Sequence, residues 1–297
     1  MGLGNFLNSG LSSVKIPYIT FAMCMKNSPT FSTNYESVVE FSTNLFWANE
    51  ILLQSNILNA CTNVTNKSIS TGSSCIDNWL DGGIAPETIT LIYGEPETGK
   101  TTLAMQCVVN SAMQNIKTVY VDCDNTFATE RLLQITGMKF NEIAEQIILI
   151  RPKNFDEQTA VIDKLQGHIR TFNAGLVVID TLNGLYRAKV AEVAVKSKAQ
   201  FQLSRELNRQ LAILAQTAKT NHIPIIITSQ VKSMINEPFI TIAPVATRVL
   251  QFWANTTIAL KATENPQTIL ASIKKDQNAK EATCYLRIAQ KGIIDNE

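Results

Sequence analysis

The chain has almost no surplus of charge: 26 Lys and Arg stand against 25 Asp and Glu, a formal net charge of +1 over 297 residues. That balance excludes a global electrostatic pull toward a polyanion, so any contact with nucleic acid has to come from a local patch. Cysteines at metal-binding spacing are also missing. The six present (Cys24, Cys61, Cys75, Cys107, Cys123, Cys284) are scattered without a CxxC pair. This indicates no zinc site, and reduced, mostly buried thiols suit a cytosolic, cytoplasmic protein. No apolar run approaches the roughly 20 residues that a membrane-spanning helix needs, so no membrane partner is expected. Residues 16–25 are apolar and follow Lys15, but no small-residue cleavage pattern follows them before Lys26, and they are not read as an export signal. Charge is scarcest in residues 1–68, which hold only Lys15, Lys26, Glu36, Glu40, Glu50 and Lys67, and in which Asn, Ser and Thr make up about a third. One helix is suggested there, over 38–53. The phrase Phe-Ser-Thr-Asn, at 31–34 and 41–44, is too short to define a repeat. A flexible tail, a partner-binding arm and upstream sequence joined by an early start codon all remain open for this extension.

What the chain does have begins near Ser70. With 45% hydrophobic residues it can bury one good core, expected over 69–297. Apolar runs at 89–93, 117–122, 147–151, 176–180 and 223–229 alternate with segments of helical spacing at about 101–111, 129–135, 155–166 and 196–219. Alternation at this spacing predicts a doubly wound, mostly parallel α/β sheet. The run 176–180, Leu-Val-Val-Ile-Asp, has the continuous hydrophobicity of a strand buried on both faces. After Val249 the character changes to three short strands, about 256–262, 268–274 and 283–288, expected as an antiparallel C-terminal extension.

The most specific feature is Gly94-Glu95-Pro96-Glu97-Thr98-Gly99-Lys100-Thr101, followed by Thr102 and set between the first strand and a helix. This is the phosphate-binding loop in the context that gives the pattern meaning. Consecutive backbone N–H groups at a helix N-terminus form an anion nest and the helix dipole adds positive charge. Lys100 reaches the terminal phosphates and the Thr101 hydroxyl holds Mg²⁺. ATP and Mg²⁺ are the implied cofactors, and Glu95 and Glu97 are expected to point away from the phosphates.

Three strand ends supply further candidates, because ligands of open α/β sheets bind at the carboxyl edge. Asp180 closes an apolar strand, where a P-loop protein needs a carboxylate to orient Mg²⁺. Asp124, just past the Tyr120-Val121-Asp122 strand, is placed to position an attacking water, although a capping role is also open to it. Gln230 ends Thr228-Ser229-Gln230 and can bond a terminal phosphate or the attacking water, transmitting its presence to the loop at 231–246.

These residues resemble the RecA/RadA recombinase superfamily, and within it the archaeal RadB paralogues, over about residues 69–293. The resemblance rests on Ser70-Thr71-Gly72-Ser73-Ser74-Cys75-Ile76-Asp77, Gly82-Gly83-Ile84, the phosphate loop and Tyr120-Val121-Asp122. Further along, 205–211, Thr228-Ser229-Gln230 and Gln290-Lys291-Gly292-Ile293 fit as well. It implies a RecA-like P-loop ATPase core in an ATP-dependent DNA-binding protein of homologous recombination and DNA repair, in which Gln230 precedes a DNA-contacting loop and Arg131 packs on the adenine. Recombination proteins, above all a full recombinase assisted by a mediator, are the implied partners, with a homo-oligomer open. Two departures bear on activity. Asp124 stands where the family usually has Glu, which withdraws the carboxylate by one methylene, and catalysis is sensitive to displacements of ~1 Å; at most a weak, DNA-dependent ATPase is expected. The chain also shows neither a helix-hairpin-helix pattern nor a Phe-x-x-Ala polymerisation motif.

For DNA, preferably single-stranded, the candidate contacts are Lys232, Arg248, Lys274, Lys275 and Lys280, with Phe239 and Phe252-Trp253 as stacking surface. Two other readings are a KaiC-like signalling ATPase, weakened because that family commonly has adjacent carboxylates where this chain has Asp124-Asn125, and a nucleotide-gated scaffold without turnover.

Overall fold

A computed structural model describes residues 67–194, 197–231, 245–276 and 281–296. The N-terminal extension with its expected helix over 38–53 lies outside the described residues, as do Lys232, Phe239 and Lys280.

The strands are β1 (Ile89–Gly94), β2 (Lys117–Asp122), β3 (Ile147–Ile150), β4 (Ala174–Asp180), β5 (Ile225–Gln230), β6 (Thr256–Ala262), β7 (Thr268–Lys274), β8 (Ala282–Ala289) and β9 (Gly292–Asp295). The helices are α1 (Ser74–Trp79), α2 (Lys100–Ala112), α3 (Thr129–Thr136), α4 (Phe140–Ala144), α5 (Phe155–Asp163), α6 (Leu165–Phe172), α7 (Gly184–Ala191), α8 (Lys198–Asn221) and α9 (Val245–Trp253). The strands form one nine-stranded sheet in the order β3-β2-β4-β5-β1-β6-β7-β8-β9.

Side chains on a strand alternate between faces, and the two cores follow that period. In β4, Val177 and Ile179 join Leu91, Val121 and Ile227 on one face, covered by Phe155, Ile162, Leu207, Leu211 and Leu250 from α5, α8 and α9. Leu176 and Val178 join Ile92, Ile226 and Leu260 on the other, covered by Leu103, Ala104, Cys107 and Val108 of α2. All seven residues of β4 are buried, as its unbroken apolar run predicts.

Four expectations need correction. β6 pairs in parallel with β1, Thr90 opposite Thr256 and Gly94 opposite Leu260, so the antiparallel part begins one strand later, at β6–β7. Hydrophobic alternation reports burial and carries no information on strand direction. A fourth short strand, β9, closes the sheet against β8. The helix expected over 155–166 is two, breaking at Lys164, which caps both and lies outside helical geometry (φ −95°, ψ 0°). Helices α1, α4, α7 and α9 stand outside the sequence expectation: α1 and α4 have only six and five residues, α7 has no strong apolar stripe, and α9 begins at Val245, within the stretch read as a loop.

The segment before β1 braces the nucleotide-side helix. Asp77 accepts from Thr71 N–H (2.8 Å), Thr71 Oγ1 (2.7 Å) and Ser70 Oγ (2.6 Å), which fixes the turn into α1. A Cβ on Gly72 would sit 2.3 Å from Gln106 Nε2, so the Ser-Thr-Gly phrase is also what lets α2 come close. Gln106 in turn bonds Ile293 twice, donating to its carbonyl (2.9 Å) and accepting from its N–H (2.8 Å). The side chain thereby serves as an extra rung that ties the phosphate helix to the last strand.

Candidate nucleotide site

The phosphate loop leaves β1 at the carboxyl edge of the sheet and enters α2. Two residues have the left-handed backbone that a curled loop needs, Glu97 (φ 65°) and Gly99 (φ 85°). Space also dictates glycine: a Cβ on Gly94 would lie 2.1 Å from the Leu260 carbonyl oxygen, and one on Gly99 would press on Ile293 at 3.0 Å. The hairpin β8–β9 therefore packs against the loop itself. Lys100 is buried, and its Nζ donates to the Glu95 carbonyl at 2.5 Å, across the loop. Burial lowers the pKa of its ammonium and the positive charge of Arg187 lowers it further, against the upward pull of Asp180, Asp124 and Glu95. Glu97 is exposed as expected and Pro96 is exposed beside it, whereas Glu95 is only half exposed and its charge is felt at Lys100. Thr98 is buried, its hydroxyl donating to the Glu95 carbonyl (2.9 Å), while Thr101 and Thr102 are half-buried in the first turn of α2.

Asp180 is fully buried at the end of β4. It accepts from the Tyr120 hydroxyl (2.7 Å) and from the Thr228 hydroxyl, so residues of β2 and β5, the strands on either side, orient it. Burial, together with the negative charge of Asp180, raises the Tyr120 pKa and keeps the phenol a donor. Each carboxylate oxygen retains lone pairs beyond these bonds.

Asp124 follows β2. Thr181 Oγ1 donates to its Oδ2 at 2.5 Å, and its Oδ1 lies against Gly184, where a Cβ would be 1.8 Å away. The carboxylate is thus turned toward the first turn of α7. Burial raises its pKa and the charges of Asp180 and Asp122 add to that, opposed by the Thr181 bond and by Arg187. Asp122, its neighbour in sequence, is structural: it accepts from Thr126 N–H (2.9 Å), Phe127 N–H (3.3 Å) and Arg151 Nε (3.0 Å), and holds the loop that carries Asp124.

Gln230 ends β5 beside Gly94 of β1. Its side-chain oxygen accepts from Arg187 Nη2 (3.3 Å), and its carbonyl accepts from Arg187 Nη1 and Asn183 Nδ2, each at 3.4 Å. Arg131, on α3, reaches across α2 to the β8–β9 turn. Nε donates to Thr102 Oγ1 (3.4 Å), Nη2 to the Ala289 carbonyl and Nη1 to the Gln290 carbonyl (both 2.9 Å). Lys100, Thr101, Asp180, Asp124, Gln230 and Arg131 are all brought to this one edge.

The DNA candidates are not gathered in the same way. Lys274 is opposite Thr257, which pairs with Leu91. Leu91 lies three positions before Gly94, so Lys274 lies ~10 Å back toward the amino edge. Lys275 lies beyond it and is ion-paired with exposed Asp81. Arg248 is exposed on α9. Sequence reasoning missed Arg187, Thr181 and Gln106 as supporting residues. The hydroxyl-bearing strand ends next to each carboxylate were a usable signal, but Arg187 had none.

The matching family model is Rad51, over residues 64–296. The chain belongs to the Rad51 family. Within that family it is similar to the DNA repair and recombination protein RadB of Methanobrevibacter smithii, 32% identical over 235 residues that cover 77% of this chain and 96% of the relative. RadB of Thermococcus kodakarensis is 32% identical over 233 residues, 77% of this chain and all of the relative. Among solved structures, a RadB recombinase superposes with a TM-score of 0.64 at 30% identity, covering 77% of this chain and 100% of that one. The matched span contains all of the described residues, among which no helix is long and apolar enough to cross a membrane.

Proposed function

We propose that this Rad51-family chain is an ATP-binding, DNA-binding protein of homologous recombination and repair, acting in the cytoplasm as a RadB-like recombinase paralogue or mediator with weak ATP hydrolysis. The observation that carries the proposal is the convergence of Lys100, Asp180 and Gln230 on the carboxyl edge where the phosphate loop opens.

The donor set suits Mg²⁺-ATP. The loop offers left-handed backbone at Glu97 and Gly99, and Lys100 satisfies its ammonium on a loop carbonyl, a bond that a phosphate oxygen can replace. Thr101 and Asp180 would hold Mg²⁺, Asp180 through water, since its two oxygens already accept hydroxyl hydrogens from Tyr120 and Thr228. Bound there, the metal would neutralise charge on the phosphates. Tyr120 and Thr228 keep the Asp180 carboxylate fixed, the buried Lys100 would exchange the Glu95 carbonyl for a phosphate oxygen, and Gln230 would respond to the outermost phosphate. Asp124 is the residue placed to accept a proton from water, and its engagement with Thr181 and α7 favours slow turnover.

Ligand-dependent change at Gln230 would pass into the chain that follows it, giving nucleotide control of DNA affinity through differential contacts in the two states. Recombination proteins are the proposed protein partners, and Arg248 and Lys232, which follow Gln230 in sequence, are the proposed DNA contacts. A fluorescence-anisotropy titration of a labelled single-stranded oligonucleotide, run with ATP, with ADP and without nucleotide across a salt series, tests the proposal. ATP-dependent affinity that weakens with salt is expected, and no salt-dependent affinity in any state would remove it.

A further inference from the structure

One cation near the phosphate loop is not accounted for by the loop itself. Arg187 sits on the first turns of α7, the helix that follows the Asp180 strand, with Gly184 one turn before it on the same face. Its guanidinium forks onto Gln230, one arm to the side-chain oxygen at 3.3 Å and the other to the backbone carbonyl at 3.4 Å. The same positive charge is felt by two groups of the nucleotide site: it opposes the ammonium of Lys100 and favours the ionised form of Asp124. Arg187 thus holds the residue that ends the reporting strand, and that residue lies opposite Gly94, where the phosphate loop begins.

The lengths of the bonds matter. Charge-assisted hydrogen bonds typically run at about 2.7–2.9 Å, and the Arg187–Gln230 contacts are longer by about half an ångström. The hold is weak, made to neutral amide oxygens, and set near a second cation, Lys100. A phosphate dianion offers a guanidinium a bidentate partner of opposite charge, a stronger site than two amide oxygens.

We propose that Arg187 is the positioning residue that distinguishes a nucleoside triphosphate from a diphosphate, exchanging its fork on Gln230 for the terminal phosphate and so freeing Gln230. The inference rests on the nucleotide-binding reading above and adds to it the residue that senses the ligand's last charge. A diphosphate lacks that group and leaves Arg187 on Gln230. Lys100 binds either nucleotide through the loop, whereas Arg187 acts on the difference between them.

The test is equilibrium titration of the full chain with fluorescent ATP and ADP analogues, comparing wild type, Arg187→Met and Arg187→Lys. Arg187→Met removes charge and fork together and is expected to weaken ATP by about tenfold or more, the size of one lost charge-assisted contact, while ADP changes by less than about twofold. Arg187→Lys keeps a point charge without the planar fork and is expected to fall between the two. ADP affinity serves as the internal control for folding. Equal losses for ATP and ADP, or no loss for either, would overturn the inference while leaving nucleotide binding in place. A wild type that binds neither analogue would overturn the nucleotide reading, and this inference with it.

Discussion

Two regions at one sheet edge are built differently. Around the phosphate loop the side chains are buried and the bonds short: Lys100 to the Glu95 carbonyl at 2.5 Å, Tyr120 to Asp180 at 2.7 Å, and Gln106 doubly bonded to Ile293 at 2.8 and 2.9 Å. At Gln230 the half-buried side chains of Gln230 and Arg187 and the buried Asn183 amide meet through contacts 3.3 to 3.4 Å long. The first region is fixed before any ligand arrives, which reduces the ordering cost of binding. The second is loosely held, and regions that switch are drawn from the less stable end of a structure. The division of labour is between a rigid grip and a loose reporter.

The largest effect is expected from striking the grip. Lys100→Ala removes the buried ammonium and should weaken ATP by roughly tenfold to hundredfold in a fluorescence titration with the fold retained, the range for one buried charge-assisted contact. Gln106→Ala attacks the brace instead. It leaves the buried Ile293 N–H and carbonyl without the rung that satisfied them, and chemical denaturation should record a loss of about 2–4 kcal/mol. A stability change within error would mean that α2 does not depend on β9.

The reporter side is sharpened through Asp124. Asp124→Glu extends the carboxylate by one methylene and should raise steady-state ATP turnover several-fold, with nucleotide affinity little changed; a flat rate would show that reach is not what limits hydrolysis. Since burial holds the Asp124 carboxyl pKa above the ordinary aspartate value of 3.8, its base form is lost as pH falls through that raised pKa. Turnover should therefore drop on the acid side at higher pH than an ordinary aspartate would give, and that limb should vanish in Asp124→Asn. The smallest effect is expected from Lys275→Ala. Its partner Asp81 is exposed and the pair lies off the nucleotide edge, so DNA affinity and melting temperature should shift by the equivalent of under about 0.5 kcal/mol.

How much of this was legible in the sequence follows the same division. The phosphate loop is a local device, with strand, glycines and helix adjacent in the chain, and its residues could be named from spacing alone. Asp180 and Gln230 were reachable because a polar residue ending an apolar strand falls on the ligand edge of a parallel sheet. The direction of β6 was not legible, since the apolar period of a strand is the same whichever way it runs. Nor was Arg187, whose partner lies 43 residues further along and whose helix has no amphipathic signature. Asp124 could be named, but its engagement with Thr181 and Gly184 depends on two strand ends meeting, which only the folded sheet supplies.

Amide hydrogen exchange of the full chain with and without saturating ATP compares the two regions in one experiment. The account predicts that ATP changes exchange most at the end of β5 and in α7, while α2 and β9 are already protected without nucleotide. Slow, unchanged exchange at Gln230 and α7, with α2 and β9 gaining protection only when ATP binds, would contradict it.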